Sequence, residues 1–527
     1  MIAHPVFAAW LSFITALILL TIHHVRRVSI KLPPGPRRLP LIDNMFDMPP
    51  KGGRNWEHYT KQRDLYGPIT SLTALGTTVI LLHDFNLAEE FLSKRAVIAS
   101  DRPRPFFLTQ MCGWNRNIGF IPYDRRLRGM RKHIHSLLGT QTALADFNPV
   151  QDIETRRFLL RILRKPDQFL KYIKSEAAGI MLKTIYGYET NSEGSDPIIF
   201  IVEKALEQAL VAGQPGAWLV DYFPALRHLP DWVPGTSFKR IAREISETEN
   251  EFSGRPWAFV KYQMAAGKHA TSFSSKVLES DEKLSDEEEY IAKFAANGLY
   301  GGGADTTVAS IMAFFLVMAK NPEIQSKAQA EIDSVVAQGR MPELSDRETL
   351  PYTEAVIKEI FRWHTAVPEG LPHLTTEDCE FEGYSIPKGS IMIPNIWAFA
   401  HDANIYHDPS TFNPNRFLGD NPQMDPRNII FGFGRRICPG KLLADASVFL
   451  TIARTLAVFD IKSHVDDDGR SVAPHFDPES GFVSHPAEFK ARITPRSEKH
   501  EALIMEVEKT HPFGTGSEED MEKVTVW

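Results

Sequence analysis

The chain has 527 residues, 43% of them hydrophobic and 24% charged, with 59 Lys+Arg against 66 Asp+Glu. This is a globular composition too long for a single small core, and a net charge of −7 argues against a general nucleic-acid-binding surface. Three cysteines, Cys112, Cys379 and Cys438, argue against a disulfide framework and for a reducing compartment.

Val6 to Ile22 is an uncharged run of 17 residues, at the short end for one transmembrane helix. Arg26, Arg27, Lys31, Arg37 and Arg38 follow it. The positive-inside rule then leaves the rest of the chain in the cytosol. A cleaved signal peptide would want positive charge before the apolar run, and only the amino terminus supplies any. Residues 1–31 are therefore expected to be an uncleaved anchor with a basic flank. Leu32-Pro-Pro-Gly-Pro36 reads as a stiff elbow, because proline fixes φ and removes a donor.

Beyond the elbow, residues 70–83 predict a hairpin around Gly76. Most of 120–330 predicts helix. Within it, Tyr123-Asp-Arg-Arg-Leu-Arg-Gly-Met-Arg-Lys132 carries Arg125, Arg126, Arg128 and Lys132. These could be a solvated helix face or a dock for an acidic electron-transfer partner. The carboxylates of Asp281 to Glu289 read as a solvated loop or a helix start.

Gly301-Gly-Gly-Ala-Asp-Thr-Thr307 lies inside a helical pattern running to about Lys320. Each glycine weakens a helix by roughly 1 kcal/mol relative to alanine, so a distortion or a close backbone approach is expected there. Asp305 and Thr306 form an acid–alcohol pair able to relay protons. The bland reading is a helix N-cap, which the same residue types favour.

Glu359-Ile-Phe-Arg362 puts an acid and a base on one helical face. Strands are expected again near 380–394. The stretch 401–437, rich in Pro, Asn and Asp, should be largely irregular. It leads to Phe431-Gly-Phe-Gly-Arg-Arg-Ile-Cys-Pro-Gly440 and a buried helix to about Phe459. In that loop Gly434 and Gly440 are read as permitting tight backbone. Amide N–H groups then point at the Cys438 sulfur, Phe431 shields it, and Arg436 is placed for a haem propionate. Cys438 thus reads as a thiolate ligand to haem iron; the alternative is an ordinary buried cysteine. The charged tail after Ser497 is expected to lack fixed structure, with His511-Pro-Phe-Gly514 a possible docking spot.

The 431–440 loop resembles the F-x-x-G-x-R-x-C-x-G signature of the cytochrome P450 superfamily, and Gly302 to Thr307 resembles its oxygen-binding helix. The resemblance implies haem b, a mainly α fold with a smaller β portion, and a catalytic domain over 32–497 between the anchor and a 498–527 tail. It implies a structural triad of Glu359, Arg362 and Arg416, and propionate contacts from Arg131, His373 and Arg436. Leu127 stands where the family carries a tryptophan donor. By the same analogy Phe106, Phe107, Phe120, Ala304, Val367 and Phe482 line a distal pocket suited to an apolar polycyclic guest.

Pro49-Pro-Lys-Gly52, Trp232-Val-Pro-Gly235, Phe361-Arg-Trp-His364, Pro394-Asn-Ile-Trp397 and Pro495-Arg-Ser497 are similar to stretches in fungal secondary-metabolite members. The expected function is a monooxygenase of the endoplasmic reticulum membrane, single-pass, with its catalytic domain in the cytosol. No flavin or nicotinamide domain is evident. Electrons are expected in trans, from NADPH–cytochrome P450 reductase, with cytochrome b5 as a further donor. A haem-thiolate isomerase or dehydratase is the rival enzyme, which the Asp305–Thr306 pair disfavours. A non-catalytic haem-binding scaffold is the other rival, slightly favoured by Leu127.

Overall fold

A computed structural model describes residues 31–524, except 41, 192–195, 281–283 and 337–338. The expected membrane helix and its first basic residues, Arg26 and Arg27, lie outside the described residues.

After the proline elbow, α1 (Asn55–Tyr66) leads into the hairpin β1 (Ile69–Ala74) and β2 (Thr77–Leu82). Leu75 and Gly76 turn it at φ 45° and 82°, the doubly positive φ of a two-residue hairpin loop. Later in the chain come β3 (His373–Leu374), the small hairpin β4 (Cys379–Phe381) and β5 (Tyr384–Ile386), and β6 (Ile391–Pro394). A four-stranded sheet forms in the order β1-β2-β6-β3, with β2 and β6 parallel. A second sheet near the carboxyl end joins β7 (Phe459–Val465), β8 (Ser471–Val472) and β9 (Ala491–Pro495) in the order β8-β7-β9.

Helices supply the rest. They include α2 (Arg125–Leu138), α3 (Asn148–Arg164), α4 (Phe169–Tyr186), α5 (Pro197–Ala212) and α6 (Ser237–Ala265). After them come α7 (Asp286–Lys320), α8 (Pro322–Val335), α9 (Pro351–Trp363), α10 (Lys441–Val458) and α11 (Glu498–Met505). The chain is mainly helical with a smaller β portion.

The central element is α7. Ser285 caps it in a reciprocal box with Glu288, and Asp286 to Glu289 fill its first turn. These carboxylates complement the helix dipole, so the acidic run is a helix start. Its second half, Val308 to Met318, is buried among Phe158, Phe169 and Phe449. The helix is apolar and long enough to cross a membrane, but 72% of its most apolar window is buried inside the protein. It is a core helix.

The tail corrects an expectation. Instead of lacking structure it forms α11 and two shorter helices, Val507–Thr510 and Glu518–Glu522. Ile504, Val507 and Met521 are buried, and burying them offsets the ordering cost of a charged segment. Phe513 meets the guanidinium groups of Arg161 and Arg157 at 4.8 and 5.6 Å. Arg157 Nε also donates to His511 O at 3.3 Å, so the His511–Gly514 stretch does dock.

Candidate active site

The loop before α10 closes on itself, with Cys438 N–H donating to Phe431 O at 2.7 Å. Two glycines make that possible. Gly434 has φ 52°, its N–H donates to Ser93 Oγ at 2.9 Å, and a Cβ there would sit 2.3 Å from Leu92 O. Gly432, at φ 77°, is a turn residue that the sequence reading passed over. Gly440 is a correction: its φ is −93°, and a Cβ would approach nothing closer than Leu299 Cδ2 at 3.8 Å. Its contribution is its N–H, which points at the Cys438 sulfur. Phe431 packs edge-on to Phe361, ring centres 6.1 Å apart.

Cys438 lies deep in the protein and yet keeps accessible surface. Burial pushes its thiol above the ordinary value, while the Gly440 N–H, Arg131 and Lys441 pull the other way. Three positive side chains gather beside this loop. Arg131 on α2 donates to Ile437 O at 2.9 Å. Arg436 donates to the carbonyls of Ser100, Ile118 and Ile121 at 2.7, 3.2 and 2.7 Å. Arg102 donates from Nη1 to Leu371 O and Pro372 O, both at 2.8 Å. Its Nε is buried with no hydrogen-bond partner among the described residues.

Burial depresses all three guanidinium groups, and Arg436 is pushed down to about 10. Arg102 is depressed further by repulsion from Arg436 and Arg131, which Asp101 only partly offsets. Buried like charges repel unless an anion joins them. A macrocycle bearing two carboxylates, ligated from one side by a thiolate, fits this donor set. Arg102 was missed because Asp101-Arg-Pro-Arg104 has no periodicity or motif to mark it; only the fold brings it to Arg436.

His373 sits on β3, buried, with Nδ1 2.6 Å from Ala99 O. A carbonyl only accepts, so Nδ1 carries the proton. Burial and Arg102 hold the imidazole well below its usual range. The neutral ring therefore offers Nε2 as an acceptor, and a propionate contact there needs a second proton, which an adjacent carboxylate would favour. Leu127 is core: it is 1% exposed and packs in the cluster with Met130 and Ile134.

Behind the loop, Glu359 is fully buried and takes Arg362 Nε and Nη2 at 2.7 and 2.8 Å and Arg416 Nε at 3.1 Å. The leftover donors go to the irregular 400–423 stretch. Arg362 reaches Ala400 O and Pro409 O; Arg416 reaches His407 O, Asp408 O and Thr411 O. One acid thus anchors two arginines that together tie down a segment lacking regular hydrogen bonds of its own.

On α7 the residues up to Tyr300 and after Thr306 are mostly buried, but Gly301 to Thr306 keep accessible surface. The helix runs through this turn unbroken, so Asp305 and Thr306 are not an N-cap and the expected distortion is absent. Close approach is what the glycines provide: a Cβ on Gly303 would meet Met181 at 2.5 Å, whereas Gly302 has open space. Thr306 Oγ1 donates to Gly302 O at 2.9 Å. Asp305 Oδ1 lies 3.0 Å from His485 Nε2.

The pocket candidates divide. Phe120, Ala304 and Val367 keep accessible surface, Phe106 lies under Arg227 at 5.3 Å, and Phe482 is 42% exposed. Phe107 is fully buried and stacked on Trp218, 3.9 Å between ring centres, so it lines no open space and belongs to the core. Arg125, Arg128, Lys132, Arg435 and Lys441 are exposed on the side of the cysteine loop and the start of α2. Arg126 is instead bound by both carboxylate oxygens of Glu287, at 2.7 and 2.9 Å, and lies over Tyr290. It is removed from the proposed docking face.

Residues 33–493 match the family model for cytochrome P450. The chain is 46% identical over 501 residues to cytochrome P450 monooxygenase claR of Ampulloclitocybe clavipes, covering 94% of this chain and 92% of that one. It is 42% identical to cytochrome P450 monooxygenase ppsD of Aspergillus oryzae, covering 93% of each. It is 36% identical to O-methylsterigmatocystin oxidoreductase of Aspergillus flavus, again covering 93% of each. Members of this family bind haem b through a cysteine thiolate. With the fold, the cysteine loop and these similarities together, the chain belongs to the cytochrome P450 monooxygenases.

Proposed function

We propose that this monooxygenase oxidatively tailors an apolar polycyclic secondary metabolite, taking electrons from NADPH through a separate membrane reductase. The carrying observation is the accessible Gly302–Thr306 turn, which presents an acid and an alcohol between the buried stretches of the helix on either side. Haem, when bound, reduces O2 and inserts one oxygen atom into the substrate, a reaction that consumes protons. Cys438 is assigned as the iron ligand, and Arg102, Arg131 and Arg436, joined by a protonated His373, as the propionate clamp. Phe120, Ala304 and Val367 orient the guest and exclude water. Asp305 collects a proton and Thr306 Oγ1 holds it at the open side of α7. Arg128, Lys132, Arg435 and Lys441 offer an acidic partner a complementary surface near the ligand loop. The reading is tested by metabolite profiling of a deletion strain, followed by turnover of the accumulated compound with reductase and NADPH. An isomerised or dehydrated product formed without NADPH would overturn it.

Thr306→Ala should leave haem content and substrate affinity nearly intact. Product per NADPH should fall about tenfold while peroxide rises, because a late or misplaced proton releases reduced oxygen. An unchanged ratio would make Thr306 a packing residue; loss of haem would make it structural.

We also place the protein in the endoplasmic reticulum membrane through residues 6–22, with its catalytic domain in the cytosol. Phe46 and Trp232, each 82% exposed, and Phe223, 61% exposed, leave apolar side chains on the surface of the described part. Removing residues 1–31 should therefore release most of the protein from membranes and leave a fraction loosely held. Carbonate extraction checks this. A truncated protein that resists carbonate would count against a single anchor.

A further inference from the structure

His485 is a residue that none of the family motifs used above contains. It sits in the loop between β8 and β9, and that loop is firmly held on both sides of it. Ser484 N–H donates to Ala366 O at 2.8 Å, and Glu479 N–H donates to His485 O at 2.7 Å. His364, kept neutral by burial at about 4, donates its Nε2 proton to Ser484 O at 2.9 Å. Pro478 and Pro486 pair across the loop. The imidazole is thereby delivered to α7, where Nε2 stands 3.0 Å from Asp305 Oδ1.

The carboxylate oxygen lies off the N–H axis, so the two groups are in close contact without a formed hydrogen bond; Nε2 has no other partner among the described residues. A small rotation of either side chain aligns them, and catalytic hydrogen bonds commonly tighten in this way once substrate binds. The His485 side chain is 19% exposed and Asp305's is 35% exposed, so water reaches both side chains, although His485 Nε2 itself is buried. Other acid–base contacts of the chain are as half-buried as this, Arg156–Asp152 at 18% and 32% among them, so it is position that sets the His485–Asp305 contact apart. It stands at the accessible turn of α7, next in sequence to Thr306.

We propose that His485 is the proton source behind Asp305. The imidazolium gives its Nε2 proton to Asp305 Oδ1, which leaves a neutral ring and a neutral carboxyl. Asp305 passes that proton on toward the Thr306 side of the helix, and the ring regains one from water when it rotates its otherwise buried Nε2 outward. No electrons move, and each turnover restores both groups. Imidazole suits the task because its ring nitrogens can both give up and take a proton. The proposal rests on the reading of Asp305 and Thr306 as the proton pair.

The experiment compares His485→Gln, His485→Ala and Asp305→Asn in the full-length, haem-loaded enzyme with reductase. Product per NADPH, peroxide and the solvent isotope effect on turnover are read. Backbone amide exchange over 479–487 is measured in the resting protein. Glutamine can hold the Asp305 contact but cannot carry a proton. Both His485 variants should therefore lose about tenfold in product per NADPH, with a larger solvent isotope effect, while His485→Gln keeps wild-type exchange across the loop. Recovery of coupling in His485→Gln but not His485→Ala would make His485 a tether and overturn the proton role. Loosened exchange in His485→Gln alongside lost coupling would overturn it too. A loss in Asp305→Asn with both His485 variants normal would remove His485 and leave the Asp305–Thr306 reading standing. Normal coupling in all three would remove both.

Discussion

Replacing Cys438 with alanine is expected to abolish the red-shifted Soret band of the reduced carbon monoxide complex and, with it, all turnover. The expectation follows from how the 431–440 loop is built. Its closing bond, Cys438 N–H to Phe431 O, uses backbone alone, as do the left-handed turns at Gly432 and Gly434. Alanine keeps every one of those, so the loop should still form. What disappears is the sulfur that the Gly440 N–H and Arg131 face. Cys112 cannot substitute, since it is completely buried in the core beside Phe107. Cys379 sits on β4, in another part of the fold. Cys438→Ser should separate loss of ligand from loss of fold: its hydroxyl accepts the same N–H, so the protein should stay folded and still lack the band. A surviving red-shifted band in either variant would show that another group holds the iron.

How much of this site was legible beforehand depends on whether its parts are local. The cysteine loop and the Asp305–Thr306 turn are each contiguous, and their chemistry shows in ten residues or fewer. The hairpin at Leu75-Gly76 and the buried helix after Gly440 were legible for the same reason: turn residues and periodicity are local properties. Arg102 and His485 were not. Arg102 acquires meaning only because the fold sets it against Arg436 and Arg131, more than three hundred positions away in the first case. His485 acquires it from a loop that crosses back over α7. Neither has a neighbour in sequence that hints at its partner.

Misreadings follow the same division. Phe107 and Phe120 look equivalent in sequence, but the indole of Trp218 seals one and leaves the other open. Arg126 looked like its basic neighbours until Glu287, on another helix, neutralised it. The glycines at 301–303 were read as a distortion or a close approach, and only the second holds: they let neighbouring side chains lie against an unbroken helix. The tail's charge hid the spacing of Ile504, Val507 and Met521, and apolar burial outweighed the ordering cost.

Glu359→Ala is expected to be among the most damaging changes that leaves every haem-facing group in place. Glu359 and Arg362 are fully buried, and the Arg416 side chain is 3% exposed. Removing the only acid among the three leaves two guanidinium groups in the interior without a counter-charge. Removing one partner of such a network typically costs roughly 3–5 kcal/mol. Asn413 N–H, which donates to Glu359 Oε1 at 2.8 Å, would lose its acceptor as well. The consequence should appear first in the 400–423 segment, whose carbonyls are held by those two arginines. Because that segment leads into the cysteine loop, haem should be lost early in unfolding. Glu359→Gln preserves volume and one carbonyl acceptor but not the charge, so it should be destabilised by a smaller but still large amount. The control is Glu244→Ala, which breaks a pair with Arg240 whose side chains are 54% and 66% exposed. Exposed pairs of this kind contribute about 0.5 kcal/mol or less. Urea unfolding followed by Soret absorbance and by far-UV circular dichroism should therefore show a large fall in midpoint for Glu359→Ala and almost none for Glu244→Ala. Equal midpoints in the two variants would mean that the buried network does not hold the segment, and that the irregular stretch before the cysteine loop is fixed by packing alone.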